Sequence, residues 1–300
     1  MLALLLILII SLVTTGLISR VKSILSGRKG PGLFQPVKNV FVLIRKGIVY
    51  SDVSGYVTKL APPLMLASVL LAALMIPAAG FEPLISFDGD FILFAYLLAL
   101  ARFLMIIAAF DTGSSFEGMG ASREALYGML IEPALFVIFA SLVLFTGRFS
   151  VSTIFRLPGD LNSTLVYGLI ISYVIGNITL IENSRVPVDD PKTHLELTMI
   201  HEVMILDTSG INLAMVQITS FLKFAIFGSL VASVIVPWDW SPALRVVSYF
   251  IVQVLFGTII GFSESFRARY RMSRNQQYLL TVTLVSVILF VIIIFSKNIL

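Results

Sequence analysis

The chain has 300 residues, of which 58% are hydrophobic and only 13% charged, with a formal net charge of +4 and a mean hydropathy of +0.99. Soluble domains carry about 25% charged residues, so this composition suits lipid rather than water. There is no cysteine, which excludes a thiolate-held iron–sulfur cluster, a cysteine-ligated nickel site and a disulfide on this chain.

Apolar runs fall near residues 2–19, 61–79, 91–110, 124–146, 165–182, 211–237, 243–262 and 277–296. Each is long enough to cross roughly 30 Å of hydrocarbon as a helix. They predict an all-α integral membrane protein, a single transmembrane domain over 1–300 with about eight transmembrane helices and long connections at 20–60 and 183–210. The first run has no positively charged leader and no small-residue cleavage site before Arg20 and Lys22, which predicts a retained helix rather than a signal peptide. In the 20–60 connection, Val37, Val40, Phe41 and Ile44 recur at helical spacing, with Lys38 and Arg45 turned aside. That pattern predicts a cytoplasmic-side amphipathic helix that lies on the membrane surface or faces a partner.

Eight spans place the connections on alternating sides. Lysine and arginine crowd into the connections after spans one, three, five and seven, from Arg20 and Lys22 to Arg271 and Arg274, whereas Arg148, Arg156 and Lys297 lie opposite. The positive-inside rule then predicts a multi-pass plasma-membrane protein with both termini outside and the long loops cytoplasmic. Topology already accounts for the basic residues, so they do not point to nucleic acid.

Ionisable groups inside spans are expensive and mark function by default. Arg102 lies mid-way through the third span, Glu132 in the fourth just before Pro133, and Lys223 in the sixth, while Glu182 ends the fifth and Glu264 the seventh. Glu264 is expected to snorkel to the interface. Glu132 is too short to do so, and a carboxylate held out of water can bind and release a proton near neutral pH. Arg102 and Lys223 are expected as charge partners of such carboxylates.

The 183–210 connection gathers Arg185, Asp189, Asp190, His194, Glu196, Glu202 and Asp207 beside Glu182. Pro187 and Pro191 keep its first part extended. Residues 192–206 read as a short helix with His194 and His201 on one face. Two histidines seven residues apart are a weak metal signal, so no metal is expected. The mixture of apolar and ionisable residues predicts instead a loop folded into the bundle that feeds charge to intramembrane groups.

Four ordered motifs then resemble a known family. The run Ser26-Gly27-Arg28-Lys29-Gly30-Pro31-Gly32-Leu33-Phe34-Gln35-Pro36 is similar to the Arg-x-Gly-Pro…Gln signature of the H-type membrane-subunit family of respiratory complex I. The stretch Asp111-Thr112-Gly113-Ser114-Ser115-Phe116 through Arg123-Glu124, with Glu132-Pro133 beyond, looks like the branch found in group 4 energy-converting nickel–iron hydrogenases, such as formate hydrogenlyase. Glu182 to Glu202 resembles the family's Glu-x-x-Arg-x-Pro-x-Asp loop, and Asp207 stands before Ser209-Gly210.

The resemblance implies a membrane anchor and ion-coupling subunit that links electron transfer in a peripheral arm to proton or sodium translocation. By motif, Arg28, Glu132, Glu182, Arg185, Asp189, Glu196 and Asp207 carry over to family positions. Glu132, Glu182, Asp111, Glu124, Glu196, Glu202, Asp207, His194 and His201 are the candidate ion-coupling residues. Arg28, Arg123, Arg185, Asp189 and Asp190 are the candidate arm-facing ones. No catalytic centre is expected on this chain. The nickel–iron centre and iron–sulfur clusters would sit on partners: hydrogenase-like large and small subunits, an iron–sulfur subunit and antiporter-like membrane subunits. Where many relatives carry a denser glutamate series, this chain has Lys192 and His194. A quinone-site subunit of a complex I-type oxidoreductase, and a membrane anchor without ion passage, are the alternative expectations.

Overall fold

The computed structural model describes residues 1–51, 53–157, 161–190 and 199–299, the side chains of 161–165 and 297–299 excepted. Among the described residues the secondary structure is helical: α1 (Leu2–Leu25), α2 (Gln35–Arg45), α3 (Tyr56–Leu74), α4 (Asp90–Asp111), α5 (Ser115–Thr146), α6 (Val151–Ile154), α7 (Leu161–Glu182), α8 (His201–Met204), α9 (Gly210–Ile235), α10 (Pro242–Phe266) and α11 (Met272–Ile299). Seven are long and apolar enough to cross a membrane, and α7 adds a shorter apolar stretch, Val166–Glu182. The chain is an all-α integral membrane protein.

The long helices run alternately up and down, which defines two ends. At the loop end, α3 begins where α4 stops, because the Asp111 carboxylate accepts from the Thr58 N–H and hydroxyl, both at 2.9 Å. At the far end, fully buried Asp90 accepts from Val151 N–H at 2.6 Å and from the Ser150 hydroxyl at 2.8 Å. That carboxylate fastens α6 and its Ser150 cap to the start of α4.

Helix α9 is the axis of one half, packed by α1, α2, α3, α7 and α10, while α3, α4, α5 and α11 pack in sequence to form the other. Helix α10 approaches α1 through Gly257 and Gly261. A Cβ at Gly261 would come within 2.9 Å of Val21 and 3.2 Å of the Ile18 carbonyl. Small residues four apart let two helix backbones meet closely in a membrane.

Three elements differ from the sequence reading. Helix α5 starts at Ser115 rather than near 124 and runs 32 residues, about 48 Å at 1.5 Å per residue, longer than the hydrocarbon core. Its extra turns are buried under the 199–209 segment, and Gly120 lies where a Cβ would meet the Ile200 carbonyl at 2.8 Å. Helix α2 is present, but Val40 is the residue it buries, packed with partly buried Leu43 against Ala214 and Phe221 of α9. Phe41 and Ile44, expected on the same face as Val40, are exposed. The helix expected over 192–206 is reduced to α8, since 199–200 and 205–206 are not helical. There the buried Asp189 carboxylate accepts from the backbone N–H groups of Ile200 and His201, which supplies an alternative to helical hydrogen bonds.

Candidate functional site

The out-of-place charges meet. Arg102 on α4 reaches three carboxylates: its Nη1 lies 2.8 Å from Glu132 on α5, its Nη2 bonds Glu182 at the end of α7, and its Nε lies 3.6 Å from Glu124 on α5. Lys223 on α9 closes the group at 3.0 Å from the other Glu182 oxygen. Gly128 makes room for the guanidinium, since a Cβ there would come within 2.9 Å of Arg102 Cδ. Two cations therefore face three carboxylates at the junction of four helices. Buried charges survive only when paired and hydrogen-bonded, and the excess carboxylate leaves a place for one proton.

The cluster has openings on two sides. Toward the loop end, a cavity of about 460 Å³ is walled by Thr15, Gln35, Asn39, Arg185, His201 and Glu202 among others. Thr15 lies about 15 Å along α1 from Leu25, so this vestibule reaches well into the bundle. Gly16 sets its wall, because the Leu33 carbonyl occupies the place a Cβ would take and draws the 31–36 segment onto α1. An inner pocket of about 20 Å³ is walled by Met105, Glu124, Glu182 and Lys223, and shares Asn183, His201, Val216 and Ser220 with the vestibule. That volume holds about one water. On the flank, an open groove of about 600 Å³ between α4 and α5 is lined by Phe103, Met129, Pro133 and Phe136 with Arg102 and Glu132. The Glu132 side chain is 41% exposed there, so the charge series ends on an otherwise apolar flank.

The 183–190 segment is folded into the bundle at the loop end. Asp189 is paired with Arg269 at 2.9 Å. Burial pushes its carboxyl above the ordinary value, opposed first by the Arg269 charge and then by the amides of His201, Ile200 and Asp190. Asn275 donates to the Val188 carbonyl at 3.0 Å, and Tyr270 N–H to that of Pro187 at 2.9 Å. Arg123 donates to the Met199 carbonyl at 3.1 Å. Burial, with the Lys223 and Arg185 charges adding to it, pushes the His201 imidazole down to about 4, so this base is neutral at ordinary pH.

Other candidates lie elsewhere. Asp111 caps α3 and is not brought to the cluster. Arg28 and Asp207 are exposed at the loop end, Glu202 stands in the vestibule wall, and Asp190 donates its N–H to Asp189. His194 and Glu196 lie outside the described residues. Glu264 does not snorkel: its side chain is 1% exposed and pairs with Lys22 at 2.8 Å and Arg185 at 3.6 Å. Sequence reasoning missed that triad, and it missed Glu117, a fully buried carboxylate that accepts from Asp207 N–H at 2.9 Å. The signal for Glu117 was an acidic residue set among Gly118, Gly120 and Ala121, small residues that let a loop cover it. Among the described residues, no group of three or more His, Cys, Asp or Glu side chains is arranged to hold a metal ion.

Comparison with known proteins agrees with this architecture. The chain is 31% identical over 225 residues to hydrogenase-4 component C of Escherichia coli K12, covering 75% of this chain and 70% of that one. It is 29% identical over 259 residues to formate hydrogenlyase subunit 4 of the same organism, covering 83% and 82%. A chain in the structure of the membrane-bound sulfane sulfur reductase, an archaeal respiratory membrane complex, shares the fold with a TM-score of 0.81 and 19% identity, covering 97% of this chain and 98% of that one. The NADH dehydrogenase family matches residues 1–295. On that match, the chain belongs to the NADH dehydrogenase family, as a membrane subunit of the H type found in complex I.

Proposed function

We propose that this chain is the membrane anchor and ion-coupling subunit of a group 4 hydrogenase-like complex of the formate hydrogenlyase type. The vestibule end receives the redox arm, and an ion passes through the buried charges to an antiporter-like neighbour at the groove. The carrying observation is the series of openings that share walls: vestibule, inner pocket, then the Arg102 cluster with its excess carboxylate, then half-exposed Glu132. Reduction in the arm would disturb the segment around Arg185 and Asp189 and shift which carboxylate holds the proton. The segregation of basic residues places the vestibule in the cytoplasm and the termini outside. Nickel–iron and iron–sulfur chemistry would belong to the partner subunits.

The complex carrying Glu132→Gln or Glu182→Gln should assemble and still transfer electrons in its peripheral arm, yet move no ions into proteoliposomes. Normal pumping in both variants would refute the coupling role and leave a plain anchor. The vestibule's volume also suits a small ligand, which favours the quinone alternative as a second reading. Nickel and iron measured in the complex purified through this chain decide between them: nickel with iron supports the hydrogenase reading, and iron without nickel, with quinone-dependent turnover, the other.

A further inference from the structure

Two bridges join α7 to α9, one above the other. The inner one is the ion pair Glu182–Lys223. The outer one is neutral: the Ser220 hydroxyl donates to Asn183 Oδ1 at 3.1 Å. Asn183 follows Glu182 directly, and Ser220 stands three residues before Lys223, so on the same face of α9. Asn183 is held in place by its own Nδ2, which donates to the Thr179 carbonyl at 3.0 Å. Both residues wall the vestibule and the inner pocket alike.

Resting on the coupling role just proposed, we infer that the Ser220–Asn183 hydrogen bond is a water gate between the vestibule and the buried ion pair. Closed, it separates vestibule water from a pocket with room for about one molecule. It opens when the Ser220 hydroxyl turns back to the Val216 carbonyl one turn earlier on α9. Helical serines elsewhere in this chain bond in that way, as Ser229 does to Ala225 at 2.7 Å. The swap exchanges one hydrogen bond for another, so the hydroxyl keeps a partner in either state. In the open state a water reaches Lys223 and Glu182 from the loop end. Ser220 and Asn183 are thus positioning residues that act through the water they admit or exclude.

The gate gives opposite expectations for two substitutions at one position. Ser220→Ala removes the bond and leaves space, whereas Ser220→Val fills the opening with a methyl. A net hydrogen bond corresponds to roughly a 2- to 10-fold shift of an open–closed equilibrium. The natural chain has no cysteine, so a single thiol at inner-pocket position 105 (Met105→Cys) reports access alone. The purified complex would be treated with methyl methanethiosulfonate and this chain weighed by mass spectrometry over time. Labelling should speed up by that factor with Ser220→Ala and slow with Ser220→Val. In proteoliposomes, Ser220→Val should lower ions moved per electron, while Ser220→Thr, which keeps the hydroxyl, stays nearer the parent. If both substitutions leave labelling unchanged while Glu182→Gln still abolishes pumping, the gate is refuted and the coupling role stands. If Glu182→Gln pumps normally, the coupling role falls, and the gate with it.

Discussion

At the scale of single residues, the cost of burying charge made part of the site legible. Arg102, Glu132, Glu182 and Lys223 stood out in apolar runs, and the structure brings all four together with Glu124. Arginine suits the centre because its fork presents donors in several directions at once. Glu117 and Glu264 were not legible, because carboxylates near helix ends ordinarily reach water. Here a folded loop covers one, and Lys22, 242 positions away, pairs with the other. His201 was legible as a titratable group in the right segment, but its charge state was not. That depends on burial and on Lys223 and Arg185, and it sets the pKa at about 4 against an ordinary 6.5. Between those values the unfolded chain takes up a proton that the folded site refuses. The folded state is therefore favoured fully above about pH 6.5, and that contribution is lost as the pH falls toward 4. Thermal unfolding of the purified complex should show His201→Gln losing less stability than the parent over this window. Equal losses would place His201 in water.

At the scale of elements, hydrophobic runs were enough to locate the long helices, because each must bury its backbone polar groups internally in lipid. Their ends were less legible, since turns outside hydrocarbon follow what covers them. The first turns of α5 lie beneath the 199–209 segment, and α8 shrinks to one turn because Asp189 captures its leading amides. Close helix contacts were hidden too, because a glycine pair matters only when a partner backbone lies against it. At Gly257 the nearest neighbour of an added Cβ is the far end of the Leu17 side chain, at 3.0 Å. At Gly261 it is Val21 Cβ at 2.9 Å, with the Ile18 carbonyl at 3.2 Å, and neither can swing aside. Gly261→Ala should therefore destabilise the chain by about 1–3 kcal/mol, the usual cost of overpacking, and Gly257→Ala by less. The ranking is read from thermal aggregation of each variant in detergent, and an equal effect at both positions would contradict the close α1–α10 packing.

At the scale of the whole molecule, the two ends differ in kind. The loop end carries the vestibule, the docked 183–190 segment and exposed Arg28, whereas the far end is fastened by buried Asp90. A pocket of only about 10 Å³ remains there, beside Arg245 and Tyr249. An ion drawn in at the loop end thus meets its widest onward opening at the Glu132 groove rather than through the far end. The asymmetry also gives orientation a simple test, again because the chain lacks cysteine. Ser26→Cys lies in an exposed turn at the loop end, and Asp239→Cys lies between α9 and α10 at the far end. A membrane-impermeant maleimide added to intact cells should label the 239 thiol and reach the 26 thiol only after the membrane is opened, because the basic residues hold the loop end on the cytoplasmic side. Labelling of position 26 in intact cells would turn the molecule over. The vestibule would then face away from the compartment that supplies a cytoplasmic redox arm, and the direction of ion entry would reverse with it.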